Sequence, residues 1–254
     1  MRSLPDWCAD VPYQIKSIAI RDACKAVSRV KALIKQGVRN EDGSCPEVHF
    51  RSRKEPVQSF YVPKSAVSVR GIYSTLLGTL RLREALPTSY RDCRLVCAYG
   101  TYYLAVSVTE PRRQAENQGR VVALDPGIRA FLTFFAEDSC GQLGRGDFSR
   151  IQRLCVHLDR LISRADLARS KQARRLYQAC NRMRQKIRHL IDELHHKVAL
   201  FLVQHFDVIL LPTFETQQMV PRGARKLRKK SVRSMLTFAH YRFKLFLKHK
   251  AFEY

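Results

Sequence analysis

Hydrophobic positions recur at different spacings along this chain, and the changes of spacing divide it into segments. Residues 13–38 carry apolar side chains at helical intervals with Lys and Arg between them, and Gly37 is placed to end that helix. From 57 to 110 the pattern becomes short β-branched and aromatic runs: VQSFYVP, SVRGIY, GTLRLR, RLVCAYG and TYYLAVSV. Such runs, separated by Gly, Pro and Ser, predict a small antiparallel sheet or barrel.

A hydrophilic break at 111–119 precedes a second region with longer elements. Residues 120–137, RVVALDPGIRAFLTFFAE, predict two apolar strands around an Asp-Pro-Gly turn. A long helical region follows from about 149 to 205, and DVILLP at 207–212 predicts a short buried strand. The tail opens with an Arg- and Lys-rich loop and closes with a helix whose apolar residues are flanked by cations.

Charge adds a function class to this picture. The 254 residues include 46 Lys and Arg against 22 Asp and Glu, which gives a net charge of +24 and a pI near 10.2. An excess of this size indicates a polyanionic partner, of which nucleic acid is the commonest. A ribosomal-type protein or a merely solvated basic surface is the alternative interpretation.

Cysteine usage and apolar runs limit the cellular setting. Eight scattered cysteines without a CxxC pair predict reduced thiols in an intracellular compartment and no zinc site within this chain. The start lacks the apolar segment of a signal peptide. The most apolar run, 198–211, is interrupted by Gln204, His205 and Asp207, so we expect no membrane span.

Two acidic residues follow apolar strands. Asp125 closes VVALD immediately before Pro126 and Gly127, and Glu215 lies just past DVILLP. If the two strands are neighbours, their carboxylates converge on one sheet rim. Carboxylate oxygens suit Mg²⁺ or Mn²⁺, and two such ions support phosphodiester cleavage. The alternative is that Asp125 only shapes a turn, since Asp-Pro-Gly is a common turn tripeptide.

These segments resemble a known family. VVALDPGIRAFLTFF resembles the first RuvC motif of the transposon-encoded TnpB proteins and their Fanzor relatives. ELHHKVALFLVQHFDVILLPTFETQQMV resembles the second motif with its preceding helix, and SVRSMLTFAHYRFKLFLKHKAFEY resembles the segment before the family's zinc ribbon. The resemblance is specific over 120–254 and weaker upstream.

The resemblance implies an α/β fold: an RNase H-like (RuvC) domain with a long helical insertion, preceded by a small β-barrel and an N-terminal helical segment. The implied boundaries are 1–56 for a recognition-like segment, 57–115 for a wedge-like barrel and 116–254 for the nuclease domain. The implied activity is RNA-guided DNA cleavage, with DNA and a guide RNA as partners. The expected location is the nucleus of a eukaryote, or the cytoplasm or nucleoid of a bacterium.

Carried over residue by residue, Asp125 and Glu215 become the first two catalytic, metal-binding carboxylates, with Mg²⁺ or Mn²⁺ as cofactor. Family members continue with two zinc-holding CxxC pairs and then a third carboxylate, and residues 1–254 contain neither. Because in-line displacement needs both metal ions held in place, we expect the nuclease domain to be incomplete within these residues.

Basic clusters supply the predicted nucleic-acid-binding residues. Cations spread along helices and loops suit phosphate backbones, as expected where base pairing with a guide reads the sequence. The predicted residues are Arg174, Arg175, Arg182, Arg184, Lys186, Arg188, Arg222, Arg225, Lys226, Arg228, Lys229, Lys230 and Arg233. His195 and His196 are adjacent, which favours helix packing with a polar contact over metal binding.

Two other functions stay open at the level of sequence. One is a catalytically inactive RNA- or DNA-binding relic that keeps the basic surface and has lost the chemistry. The other is a transposase or recombinase that acts without a guide through the same type of carboxylate site.

Overall fold

The computed structural model describes residues 6–40, 42–49, 55–111, 119–214, 216–220 and 228–254. They belong to two compact units, residues 1–109 and 110–254. The finer division at 56 and 115 stays a prediction. Over the described ranges, no helix combines the length and the apolar character that crossing a bilayer requires.

The first unit combines one long helix with two small antiparallel sheets. Its helices are α1 (Tyr13–Lys35) and the single turn α2 (Ser74–Leu77), with 3₁₀ turns at Asp6–Cys8 and Lys64–Ala66. Its strands are β1 (Val57–Val62), β2 (Val67–Ser68), β3 (Gly71–Ile72), β4 (Cys93–Ala98) and β5 (Thr101–Val106). In one sheet β4 lies between β1 and β5, and in the other β2 pairs with β3.

Local chemistry explains two boundaries in this unit. Gly37 adopts a φ of +75° just beyond α1, where the Val38 N–H donates to the Leu33 carbonyl at 3.0 Å, so the predicted helix end is confirmed. Tyr99 and Gly100 both have positive φ, as a tight two-residue β-hairpin between β4 and β5 requires. Val62, Val67, Ile72 and Cys93 form the buried core of this unit.

The prediction of a strand at GTLRLR, residues 78–83, is wrong. The segment begins at Gly78, whose φ is +67°, and it folds back over the β2–β3 hairpin instead of extending a sheet. The Leu80 N–H donates to the Arg70 carbonyl at 2.8 Å. A Cβ on Gly71 would lie only 2.7 Å from the Cβ of Leu80, so the absence of a side chain at Gly71 permits this close approach.

The second unit contains a four-stranded sheet and its helices. The strands are β6 (Val121–Pro126), β7 (Leu132–Ala136), β8 (Cys140–Leu143) and β9 (Val208–Leu210), in the order β8-β7-β6-β9. The first three pair antiparallel, and β9 pairs parallel with β6. The predicted strands on either side of the Asp-Pro-Gly turn, and the strand within 207–212, are therefore confirmed.

Helices form the other layer of this unit. They are α3 (Asp147–Leu167), α4 (Ser170–His205), α5 (Thr216–Met219), α6 (Lys229–Phe238) and α7 (His240–Glu253). The predicted long helical region is a hairpin of α3 and α4, which reverses at the extended residues Ala168 and Arg169. With 36 residues, α4 is about 54 Å long.

The core of the second unit lies against one face of the sheet. Alternate residues of β6 point into it, and helices α3, α4, α6 and α7 supply the facing side chains. The largest fully buried members are Phe131, Phe238, Phe243, Leu132, Leu202 and Val122. Burying one such side chain contributes about 1.5–3 kcal/mol to the stability of the fold. The packing of these side chains therefore holds in place the strands that carry the candidate site.

All eight cysteines are free thiols. Cys93, Cys155 and Cys180 are buried, and these three behave as the small hydrophobes that the sequence predicts. The other five are partly or fully exposed.

Candidate functional site

Asp125 lies near the carboxyl end of β6, on the face of the sheet that is turned away from the core. Val122, Leu124 and Pro126 are buried, and the residues between them are exposed. Thr133 of β7 lies opposite Asp125 in the antiparallel register. The strand alternation therefore presents this carboxylate to solvent on a rigid, hydrogen-bonded backbone.

The turn after Asp125 is held from both sides. The Gly127 N–H donates to the Phe131 carbonyl at 3.1 Å. The Gly127 carbonyl accepts a hydrogen bond from Nε2–H of His240 at 3.2 Å, which ties the start of α7 to this turn. A Cβ on Gly127 would lie 2.8 Å from the Ala130 carbonyl oxygen, so a larger residue there would displace the turn.

The strand that leads to Glu215 is the direct neighbour of β6. Val121 pairs with Val208 and Ala123 with Leu210 in a parallel register. Continued with the same register, this pairing brings Pro212 level with Asp125, three residues before Glu215. The expectation that the two apolar strands are neighbours with their carboxyl ends at one rim is thus confirmed for the strands.

The meeting of the two carboxylates stays a prediction, because Glu215 lies outside the described residues. Within the described ranges, no group of three His, Cys, Asp or Glu side chains is placed to hold a metal ion. Asp125 supplies the hard oxygen donors that Mg²⁺ and Mn²⁺ prefer, on an open face that also admits water ligands. The donor chemistry therefore fits a carboxylate-bound divalent cation.

Two buried histidines stack on Phe131 behind this rim. The His240 ring lies parallel to the Phe131 ring at a centroid distance of 4.9 Å, and the His195 ring stacks on it at 5.2 Å. His195 donates from Nε2 to the Phe238 carbonyl at 2.8 Å. Burial lowers the pKa of both histidines to about 4, so both are neutral near pH 7.

The expected packing role of His195 is confirmed, and His196 stacks on Phe246 at 4.5 Å. His240 is the residue that sequence reasoning missed. It follows Phe238 and Ala239 at the break between α6 and α7, and Ala239 has a φ of +50° that no sequence motif signals. The helix α7 contains several other polar residues, so nothing in the sequence singles out His240.

The predicted cations of α4 divide by position on the helix. Buried residues such as Cys180, Ile187 and Ile191 mark the face that packs on the core. At 3.6 residues per turn, Arg175, Arg182 and Lys186 lie together with Lys171 on the opposite, exposed face. We call these four residues the α4 stripe. It extends over about 22 Å, and within the described part of the chain none of its members forms an ion pair.

The remaining predicted cations have varied surroundings. Arg174 and Arg188 are exposed on α4, and Arg184 donates to the side-chain oxygen of Asn181 at 3.1 Å. Arg233 forms an ion pair with Asp159 and donates to the Cys155 carbonyl, so its guanidinium already has partners within the chain. Arg228, Lys229 and Lys230 are exposed where α6 begins, whereas Arg222, Arg225 and Lys226 lie outside the described residues.

Fold and site together define a class: a strongly basic, mixed α/β protein with a carboxylate at the rim where parallel strands β6 and β9 end. The chain is a distant homologue of TnpB-like proteins and of viral proteins named as transposases. No protein-family model matches it.

Two relatives define the extent of this homology. A "Putative transposase" of Paramecium bursaria Chlorella virus 1 is 27% identical over 186 residues, which cover 70% of this chain and 41% of the relative. A TnpB-like protein of Acanthamoeba polyphaga mimivirus is 21% identical over 187 residues, covering 68% of this chain and 35% of the relative. The chain thus spans well under half the length of these relatives.

Proposed function

We propose that this chain is part of a TnpB-type, RNA-guided DNA endonuclease and that Asp125 and Glu215 belong to its metal-dependent cleavage site. One observation carries the proposal: β6 and β9 pair in parallel, so the strands that lead to the two acids end at the same rim. The homology to TnpB-like proteins and the charge of +24 agree with a nucleic-acid substrate.

An RNase H-like (RuvC) fold for the second unit is part of this proposal. The sheet topology supports it: β6, β7 and β8 are consecutive antiparallel strands, and the fourth strand, β9, pairs parallel with β6. The connection from β8 to β9 contains the α3–α4 hairpin, which agrees with a long helical insertion.

The residues of this chain have distinct parts in the proposed chemistry. Mg²⁺, when bound, would lower the pKa of a water ligand and neutralise charge on the scissile phosphate. Asp125 holds an oxygen donor in place because its strand is hydrogen-bonded on both sides, to β7 and to β9. His240 and Phe131 fix the turn behind it.

Asp125→Asn tests the catalytic part of the proposal. It removes the negative charge and keeps the size of the side chain. We expect cleavage of a target that matches the co-purified RNA, by the endonuclease of which this chain is part, to fall at least about 100-fold in Mg²⁺, since a metal ion stabilises the transition state by several kcal/mol. RNA binding should stay within about twofold.

Asp138→Asn is the matched control. Asp138 is an exposed acid in the turn between β7 and β8, and this turn lies at the opposite end of the strands from Asp125. It should leave cleavage unchanged. If the wild-type endonuclease cleaves the target and the Asp125→Asn variant cleaves it equally well, Asp125 has no part in the mechanism and the proposed site is wrong.

The α4 stripe is the proposed contact with the nucleic-acid backbone. Arg175→Glu together with Arg182→Glu should weaken binding of RNA and DNA irrespective of sequence. Each phosphate contact that is lost should flatten the dependence of log affinity on log salt by about 0.9 on duplex DNA and about 0.7 on single strands. Fluorescence anisotropy over a salt series measures both quantities.

Lys248→Glu, an exposed charge reversal on α7, is the control, and it makes half the change in net charge that the double variant makes. The stripe makes no specific contribution to binding if the double α4 variant lowers log affinity by no more than twice the effect of Lys248→Glu.

A transposase that acts without a guide is the second candidate, favoured by the name of the chlorella-virus relative. Sequencing the nucleic acid that co-purifies with the protein separates the two. A defined RNA species supports guidance, whereas bound DNA without RNA supports the transposase.

A further inference from the structure

A cavity of about 430 Å³ opens beside the rim, within the second unit. This volume lies in the range of small-ligand sites. Residues from four segments line it, including Pro126 at the end of β6, Phe214 after β9, and His240, Tyr241, Phe243 and Lys244 of α7. Neither the carboxylates nor the α4 stripe accounts for this cavity.

The walls have the composition of a site for a flat, largely apolar ring. Phe243 is fully buried beneath the cavity, whereas Tyr241 is 66% exposed at its edge. The Phe214 ring meets His240 edge-on at 4.9 Å. An exposed aromatic ring beside an apolar cavity offers a stacking surface, and Lys244 adds a cation for a neighbouring phosphate.

One polar atom in the wall lacks a partner. Nε2–H of His240 donates to the Gly127 carbonyl, so Nδ1 of the neutral ring is an acceptor, and among the described residues nothing donates to it. Nδ1 is buried, in a ring that the Phe214 ring meets edge-on. An unsatisfied buried acceptor is unfavourable, and an N–H donor from a ligand would satisfy it.

The position of the cavity identifies the ligand class. Pro126 follows Asp125 directly, and Phe214 and Thr216 flank position 215, so the cavity wall includes the neighbours of both candidate carboxylates. A nucleic-acid strand that crosses the ends of β6 and β9 would pass the cavity, which Pro126, Phe214 and Thr216 line. Bases carry both a flat ring that can stack on an aromatic wall and N–H groups that can donate to an acceptor.

We propose that this cavity binds one unstacked base of a single-stranded nucleic acid whose phosphate lies at the rim, with the base stacked on Tyr241. The inference rests on the proposed function, because it takes the strand to be cut as the ligand. It assigns to α7 a base-binding role that neither the charge pattern nor the carboxylates predict.

Photo-crosslinking tests this assignment. A single-stranded DNA oligonucleotide carrying 5-iododeoxyuridine is irradiated with the full chain in EDTA, and crosslinked peptides are mapped by mass spectrometry. We expect crosslinks within 211–216 and 240–244. Tyr241→Ala should lower their yield at least about fivefold, the lower end for loss of base stacking. Phe252→Ala is the matched control: Phe252 is a 76% exposed aromatic on α7 that does not line the cavity.

Competition separates base binding from phosphate binding. An unlabelled oligonucleotide of the same sequence should suppress the cavity crosslink at least about fivefold better than one with abasic sugars throughout. Equal competition by both, or an unchanged yield in Tyr241→Ala, would overturn the inference.

The same experiment distinguishes this inference from the proposed function. Crosslinks confined to α4 would overturn base binding in the cavity while leaving nucleic-acid binding intact. Absence of any crosslink with binding of the same oligonucleotide retained in fluorescence anisotropy would overturn only base binding, whereas absence of binding as well would make both proposals fail together. Because EDTA excludes divalent cations, the outcome does not depend on whether the protein cleaves DNA.

Discussion

The two faces of the sheet in the second unit have opposite surroundings, although the same strands build both. On the packed face Val122 is completely buried, and one residue earlier Val121 is 46% exposed. Phe131, which directly precedes the next strand, is completely buried, whereas Phe135 on the open face is 68% exposed. Asp125 lies on the open face with Phe135.

The difference shows why the candidate chemistry occupies one face only. A carboxylate on the packed face would lose its hydration at a cost of several kcal/mol. On the open face Asp125 keeps its charge, and a strand of nucleic acid can reach it. Because side chains alternate along a strand, the residues that stabilise the fold and those that can bind a substrate are immediate neighbours in sequence.

The largest expected contrast is between two phenylalanines. Phe131→Ala should lower the free energy of unfolding by about 3–5 kcal/mol, because it leaves a cavity between two histidines and two other rings. Phe135→Ala should change it by no more than about 0.5 kcal/mol, as for other exposed positions. Urea unfolding followed by circular dichroism measures both values.

Similar losses in the two variants would contradict the comparison. A loss of several kcal/mol in Phe135→Ala would mean that the open face is covered in solution. A small loss in Phe131→Ala would mean that the helices do not pack on the sheet through this ring.

Strong local patterns made much of this fold predictable. The apolar runs VVAL and FLTFFA give β6 and β7, and the helical spacing in 13–38 gives α1. The position of Asp125 at the end of a strand was predictable, because the acid directly follows an apolar run in the sequence.

Elements set by tertiary contacts were not predictable. The reversal between α3 and α4 occurs at Ala168 and Arg169, without Gly or Pro, because packing of the two helices buries Cys155 and Cys180. His240 belongs to the site through its bond to Gly127, more than a hundred residues away. Such contacts leave no periodic trace in the sequence.

Mild acid should destabilise the packed face selectively. The pKa of His195 and of His240 is about 4 in the folded chain and about 6.5 when unfolded, so below pH 6.5 the unfolded chain binds more protons. Stability is therefore full above about pH 6.5 and falls as the pH drops towards 4. At pH 5 each histidine should lower the free energy of unfolding by about 2 kcal/mol relative to pH 7.5, which urea unfolding measures.

His240→Gln should remove about half of this pH dependence, whatever its effect on stability at pH 7.5. His189→Asn is the control, because His189 is exposed on α4 and should leave the dependence unchanged. Equal pH dependence in wild-type protein and His240→Gln would show that this ring is not buried in its neutral form.

The smallest expected effect is on the open face at β9. Leu210 is exposed on the same face as Phe135, and its neighbour Ile209 packs against the core. Leu210→Lys should change the free energy of unfolding by no more than about 0.5 kcal/mol, since the ammonium stays in water. It should also reduce self-association in sedimentation experiments at low salt, because it places a charge among exposed apolar side chains.

Ile209→Lys sharpens this prediction, because the two positions are adjacent and receive the same substitution. It should lower the free energy of unfolding by at least about 2 kcal/mol, since an ammonium would enter the apolar core. The parallel register determines whether Ile209 or Leu210 points into the core. A shift of one residue between β6 and β9 would exchange the two positions. If Leu210→Lys proved the more damaging change, β9 would have the opposite register, and the rim proposed for Asp125 and Glu215 would lose its basis.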